Sequence, residues 1–125
     1  MARVFVIDDD QIVRRLAGAI LERGGHEVVS LEDGQAALKA LEHSTPDMVV
    51  TDLMMPRMDG FELLRRLRAD ARWSELPVIV LTARLTPEDL KQAEQVKVRY
   101  VLTKPFTSAQ LLNAVTATLQ NPPAG

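Results

Sequence analysis

The sequence predicts an α/β fold: a doubly wound parallel sheet of five strands with five helices on its two faces. Three observations predict it. Apolar runs alternate with amphipathic helical stretches from one end to the other. This βα alternation implies a parallel sheet with right-handed crossovers and helices on both sides. Residues 4–7 are an unbroken apolar run, as expected of a strand buried on both faces. Four of the five runs end in polar groups suited to chemistry: Asp8-Asp9-Asp10, Asp52, Thr82 and Lys104-Pro105. The second run ends in the less telling Glu32-Asp33-Gly34. In an open parallel sheet these tips meet at one edge, where ligands bind.

The elements follow in order. Arg3–Ile7 is the first strand. Gln11–Arg23 is a helix with Ile12, Val13, Leu16, Ala17 and Ile20 on one face, ended by Gly24-Gly25 in a left-handed cap. Glu27–Leu31 is a strand, and 34–42 is a short helix with Ala37, Leu38 and Leu41 inward. Pro46 punctuates before a third strand, 48–51. Gly60–Ala69 is a helix with Phe61, Leu64 and Leu67 at helical spacing, and Pro77 opens a strand over 78–81. Thr86-Pro87-Glu88-Asp89 starts a fourth helix: a threonine cap, proline in the first turn and acids facing the macrodipole. It runs to about residue 96 with a thin apolar face of Leu90, Ala93 and Val96, which predicts weak docking and mobility. Tyr100–Thr103 is the last strand. Thr107-Ser108-Ala109-Gln110 matches a capping box, and the last helix continues to about residue 119 with Leu111, Leu112, Val115 and Leu119 inward. Residues 121–125 read as a tail or the start of a linker after a domain spanning 1–120.

At 125 residues the chain is long enough for one domain with a real core. A hydrophobic fraction of 46% and a charged fraction of 26% are those of a globular protein. The net charge of −2 supplies no field to attract nucleic acid or membrane. Arg14-Arg15 and Arg65-Arg66-Arg68 read as solvated helix faces. The chain has no cysteine, which removes disulfides, thiol catalysis and cysteine-bound metals. No apolar run reaches the roughly 18 residues of a membrane span. The opening Met-Ala-Arg-Val runs straight into a strand, so no signal peptide is expected and the cytoplasm is the default compartment. His26 and His43 read as surface residues, Trp73 as locally packed, and Phe61 and Phe106 as core.

The strand tips carry the chemistry. Asp8, Asp9 and Asp52 repel one another unless a cation sits among them, and a hard divalent ion takes oxygen ligands. Asp10 is a natural N-cap for the first helix and needs no further role. In Asp52-Leu-Met-Met-Pro-Arg-Met-Asp-Gly60, Pro56 and Gly60 fix a tight loop that leaves Asp52 at a strand tip. A carboxylate beside Mg²⁺ is a competent nucleophile toward phosphorus, and the metal neutralises charge on the transferring group. Thr82 offers a hydroxyl and Lys104 an ammonium to phosphoryl oxygens.

These motifs, Val-Ile-Asp8-Asp9-Asp, Thr-Asp52-Leu-Met-Met-Pro-Arg-Met-Asp-Gly60, Val-Leu-Thr82-Ala83 and Leu-Thr-Lys104-Pro105-Phe, make the whole chain resemble a receiver domain of the bacterial two-component response regulators. The resemblance implies a flavodoxin-like sheet of strand order 2-1-3-4-5. It implies that Asp52 accepts a phosphoryl group from the phosphohistidine of a sensor histidine kinase or a histidine phosphotransfer protein. It implies Mg²⁺ (or Mn²⁺) on Asp9, Asp52 and the main-chain carbonyl of Met54, with Asp8 acting through a metal-bound water. Thr82, Lys104 and the Ala83 N–H are implied for the phosphoryl oxygens, and a cis peptide before Pro105. Kinase docking is implied near Gln11, Ile12 and Arg15 and at the loop after the fifth strand. The face of the fourth helix, fifth strand and fifth helix is implied for output to a downstream target, or for a phosphorylation-dependent dimer.

Two features depart from that pattern, and two variable positions bear on its chemistry. The family's aromatic residue, three before the lysine, is Val101 here, and Tyr100 is one earlier, on the opposite side of the strand. This predicts a readout through the mobility of the fourth helix. The glycine that usually ends that helix is absent from Glu94-Gln-Val-Lys97-Val-Arg99, which predicts fraying or an irregular turn. Met54 and Arg84 hold the positions that gate hydrolytic water, and Met54 has no group to position it, which predicts a long-lived phosphoryl group. The rival readings are an unphosphorylated interaction module, a Mg²⁺-dependent aspartyl-phosphate phosphohydrolase, and a flavin carrier. The first would be expected to lose Asp52 or Lys104, and the second lacks its second aspartate, since Met54 stands there. The third lacks a Ser/Thr/Gly-rich loop after the first strand.

Overall fold

The computed structural model describes residues 2–120; the tail expected over 121–125 lies outside them. Five strands and five helices alternate: β1 (Arg3–Ile7), α1 (Gln11–Arg23), β2 (Glu27–Leu31), α2 (Gly34–Leu41), β3 (Met48–Asp52), α3 (Gly60–Ala69), β4 (Val78–Thr82), α4 (Pro87–Gln95), β5 (Tyr100–Thr103) and α5 (Ser108–Gln120). The strands form one parallel sheet in the order β2-β1-β3-β4-β5. β3 and β4 each run one residue further than expected, so Asp52 and Thr82 are the last residues of their strands. No helix among the described residues is long and apolar enough to cross a membrane.

Side-chain alternation along the strands builds two cores. On one side Phe5, Ile7, Val49, Val78 and Val80 pack against α2, α3, Ala93 of α4 and Val96 just after it. On the other, Val4, Val6, Val50, Ile79 and Leu81 pack against α1 and α5. Trp73 joins the first core rather than packing only locally. Phe61 is buried and Phe106 half-buried, near the expected roles. His43 is exposed, whereas His26 is half-buried and its Nδ1 accepts the Ala2 N–H at 3.2 Å.

The helix faces correct the sequence expectation in three places. Ile12 and Leu16 are 78% and 50% exposed, because α1 turns Ala17, Gly18, Ile20 and Leu21 to the sheet. Ile12 and Leu16 each precede an inward position, Val13 and Ala17, and sit about 100° around the helix from it. Leu90 on α4 and Leu119 on α5 are exposed as well.

Helix ends follow their cap chemistry. Asp10 accepts the Ile12 and Val13 N–H groups, as expected of an N-cap. Thr86 and Asp89 make a reciprocal capping box at α4, and Thr107 and Gln110 another at α5. α1 ends with the His26 N–H on the Leu21 carbonyl and the Gly25 N–H on that of Glu22, Gly25 being left-handed at φ 90°. That is the Schellman pattern. α4 ends in the same pattern without glycine: Val98 N–H to Ala93, Lys97 N–H to Glu94, and Lys97 itself at φ 58°. The helix end therefore closes in a regular cap where fraying or an irregular turn was expected.

Arg68 of α3 braces that cap. Its guanidinium donates to the Val96 and Lys97 carbonyls at 2.8 and 3.3 Å. It also donates to Trp73, Ser74 and Leu76 in the loop before β4, at 3.1, 3.2 and 2.7 Å. The arginine read as part of a solvated face is thus turned inward, while Arg65 and Arg66 are exposed as expected.

Candidate phosphoacceptor site

Register places the acids. Ile7 pairs with Thr51, so Asp8 and Asp52, the next residues, stand side by side at the carboxyl edge of the two adjacent strands. Carboxylate oxygens of Asp8, Asp9 and Asp52 lie within 4.8 Å of one another. Asp8 and Asp52 are buried, and Asp9 is exposed at the mouth. Lys104 comes in after β5 and donates to Asp8 Oδ2 at 2.9 Å and Asp52 Oδ2 at 3.0 Å. The other oxygen of each carboxylate is held by backbone. Asp8 Oδ1 accepts the Asp10 N–H, and Asp52 Oδ1 those of Leu53 and Met54. The Lys104–Pro105 peptide is cis, as expected.

Burial pushes the Asp8 carboxyl above its ordinary range, and the charge of Asp52 adds to the effect. The hydrogen bonds from Lys104 and from the Asp10 backbone oppose it without cancelling it. Burial works against the Lys104 charge too, but the hydrogen bonds to Asp8 and Asp52 prevail and raise it above the ordinary lysine value. One ammonium thus faces three acids, and the cluster remains short of positive charge. Oxygen donors so close together suit a hard divalent cation.

Thr82 is fully buried, and its hydroxyl is turned onto its own loop. It donates to the Arg84 carbonyl at 2.8 Å and accepts the Arg84 N–H at 3.4 Å. Ala83, Arg84 and Met54 are exposed at the rim. A cavity of about 500 Å³ opens beside the acids, lined by Asp9, Met54, Asp59, Phe61, Arg84 and Gln92 among others. The loop from Asp52 to Gly60 is shaped by contact: a side chain at Gly60 would overlap the Asp52 carbonyl. Within it, Arg57 takes a left-handed backbone at φ 68°.

One contributor escaped the sequence. Arg14 donates from Nη1 to the Asp8 main-chain carbonyl at 2.6 Å, fixing the strand tip from α1. The sequence pairs it with Arg15 on a solvated face, but it is half-buried. Its place one turn into a helix that leaves an acidic strand tip was the available signal.

Comparison with known proteins places the arrangement. A family model described as the response regulator receiver domain matches residues 4–116. Protein PilH of Pseudomonas aeruginosa is 34% identical over 119 residues, 95% of this chain and 98% of PilH. Response regulator MprA of Mycobacterium sp. is 37% identical over 118 residues, 94% of this chain but 50% of MprA. The match to a gliding motility regulatory protein of Myxococcus xanthus, 38% identical, takes in only 12% of that protein and 72% of this chain. The chain thus spans half or less of several curated relatives. Among solved structures, chemotaxis response regulator CheY4 of Vibrio cholerae superposes with a TM-score of 0.87 at 30% identity, over 94% of this chain and 98% of its own. A putative response regulator from Chloroflexus aurantiacus superposes with a TM-score of 0.90 at 27% identity, over 96% and 98%. The family match runs from β1 into α5, and the chain belongs to the response regulator receiver domain family.

Proposed function

We propose that this chain, as a receiver domain of two-component signalling, takes a phosphoryl group on Asp52. The observation that carries the reading is the Lys104 ammonium held between Asp8 and Asp52, at the tip of a buried strand. In the step envisaged, an Asp52 carboxylate oxygen forms a bond to phosphorus as the N–P bond of a phosphohistidine breaks. The imidazole nitrogen leaves with the electron pair. Lys104 then pairs with a phosphoryl oxygen, and Thr82 exchanges its bond to the Arg84 carbonyl for another. The Ala83 N–H serves a third.

Asp8, Asp9 and Asp52, with the main-chain carbonyl of Met54, would hold Mg²⁺ or Mn²⁺; three converging carboxylates with one lysine among them fit such an ion. When bound, the ion offsets negative charge on the carboxylates and on the transferring group.

The donor is a sensor histidine kinase or histidine phosphotransfer protein, and the exposed Ile12 beside Gln11 and Arg15 suits its docking. Release of the Thr82–Arg84 bonds loosens the entry to α4. That change is read on the face of α4, β5 and α5, where Leu90, Tyr100 and Leu119 are exposed, by a downstream target or a second copy. Residues 1–120 make up the module, and the cytoplasm is its compartment. Met54 carries no group to orient water, so the phosphoryl group is long-lived.

The test is incubation with acetyl phosphate and Mg²⁺, read by intact mass. Wild type gains one phosphoryl group, Asp52→Ala gains none, and Met54→Asn loses its group faster than wild type. A wild type that stays unmodified, or an Asp52→Ala that is modified equally, overturns the reading.

A further inference from the structure

The edge of the sheet opposite Asp52 carries a second cluster of charge. Leu76 and Pro77 lead into β4 there, and Lys97 and Arg99 lead into β5. Together with Arg68, Ser74 and Glu75 they line a cavity of about 340 Å³. Three of the seven lining residues are basic and one is acidic.

The cations are not equally occupied. Arg68 spends its donors on five main-chain carbonyls. Lys97 reaches Glu75 at 3.4 Å across an exposed rim. Arg99 has neither. Its Nε and Nη2 are closed off from solvent and have no partner among the described residues. Its place is fixed by the backbone, since the Arg99 N–H bonds the Val78 carbonyl at 2.8 Å. Strand alternation puts its side chain on the side of Val101 and Arg68. Arg99 is half-buried, and two guanidinium donors closed off without a partner are costly. The two idle nitrogens share one edge of the guanidinium, and two parallel N–H groups on that edge match two oxygens of a carboxylate or a phosphate.

We propose that this cavity binds a small oxyanion, a phosphate or carboxylate group, for which the Arg99 guanidinium turns its closed-off Nε–Nη2 edge into the cavity, with Lys97 turning in from the rim. Arg68, already saturated, keeps the surrounding carbonyls from opposing the anion. The site lies at the junction of α4 and β5, so occupancy braces the turn at Lys97 from below. It stands independently of the chemistry at Asp52.

The experiment is an NMR titration of the full chain with inorganic phosphate and, separately, with acetate, at ionic strength held constant with chloride. Saturable shifts are expected at the amides of 74–76 and 97–99 and at the Arg99 Nε–H. The stronger of the two salts identifies the ligand class. Arg99→Met is expected to bind about tenfold more weakly, the loss of a charge-assisted hydrogen-bonded contact. Arg99→Lys keeps the charge without the fork and is expected to bind more weakly than wild type too. Lys104→Met is expected to leave these shifts in place. The proposal is overturned if neither salt moves these amides, if Arg99→Met and Arg99→Lys bind as wild type does, or if the shifts cluster around Asp8 and Lys104. Binding that appears only in Glu75→Gln also overturns it, since Glu75 would then be the partner Arg99 already has.

Discussion

Asp8 sits in the candidate site at a cost to the fold. Burial raises its pKa, so the folded chain binds the proton more tightly than the unfolded chain does. Stability therefore falls as pH rises from the ordinary value of 3.8 through the raised one, and the penalty is complete above it. Lys104 has the opposite sign. Its raised pKa contributes stability that is fully present below the ordinary lysine value of 10.5 and is lost only above it. In metal-free buffer at neutral pH, Asp8→Asn is expected to melt several degrees higher than wild type. The gap should close as pH falls toward the ordinary carboxylate range. A variant less stable than wild type at neutral pH would contradict this. The site residues were legible because each is a polar group abutting an apolar run. Arg14 was not, because its role is a bond to a backbone carbonyl, and side-chain spacing does not encode that.

At the scale of elements, the α4–β5 turn is where local preference and tertiary demand conflict. A non-glycine residue in the left-handed region costs about 1 kcal/mol, and glycine returns part of that through its own entropy. Lys97→Gly is thus expected to gain roughly 0.5 kcal/mol in urea unfolding; an equal loss would mean that the Lys97 side chain contributes more than its exposed ion pair suggests. Arg68 is the stronger element. Arg68→Met takes a guanidinium donor from five carbonyls, of which that of Trp73 keeps the Leu76 N–H, and is expected to cost about 3 kcal/mol. Arg68→Lys should recover little, since an ammonium lacks the planar fork; full rescue by lysine would refute the brace. The missing glycine was visible in the sequence. The brace was not, because Arg68 follows Arg65 and Arg66 in a run that reads as solvated until the loop before β4 folds over it.

For the whole molecule, the strand–helix alternation was enough to predict a parallel sheet with helices on both faces. The strand order came through the family resemblance, and the sheet bears it out. Which helix residues turn inward was less legible, since Ile12, Leu16, Leu90 and Leu119 are apolar yet exposed. Periodicity marks a stripe, but where the sheet ends decides how much of the stripe is covered. α4 holds the sheet through little more than Ala93 and Val96. Hydrogen exchange is expected to be fastest in α4 among the helices and slowest in β1, β3 and β4. Adding Mg²⁺ and a phosphoryl mimic should change exchange most in α4. Protection of α4 equal to that of α1, with and without the mimic, would remove it as the reporting element.

Val101 is half-buried against the core beneath α4, and the single tyrosine, Tyr100, stands on the other side of the strand. A valine has one stiff torsion and no second one to turn. It cannot act as a hinged flap that swings between an inward and an outward pose. In the function proposed above, a message crossing β5 at this point would travel as a small displacement of the chain itself, graded with how far the β4–α4 loop moves.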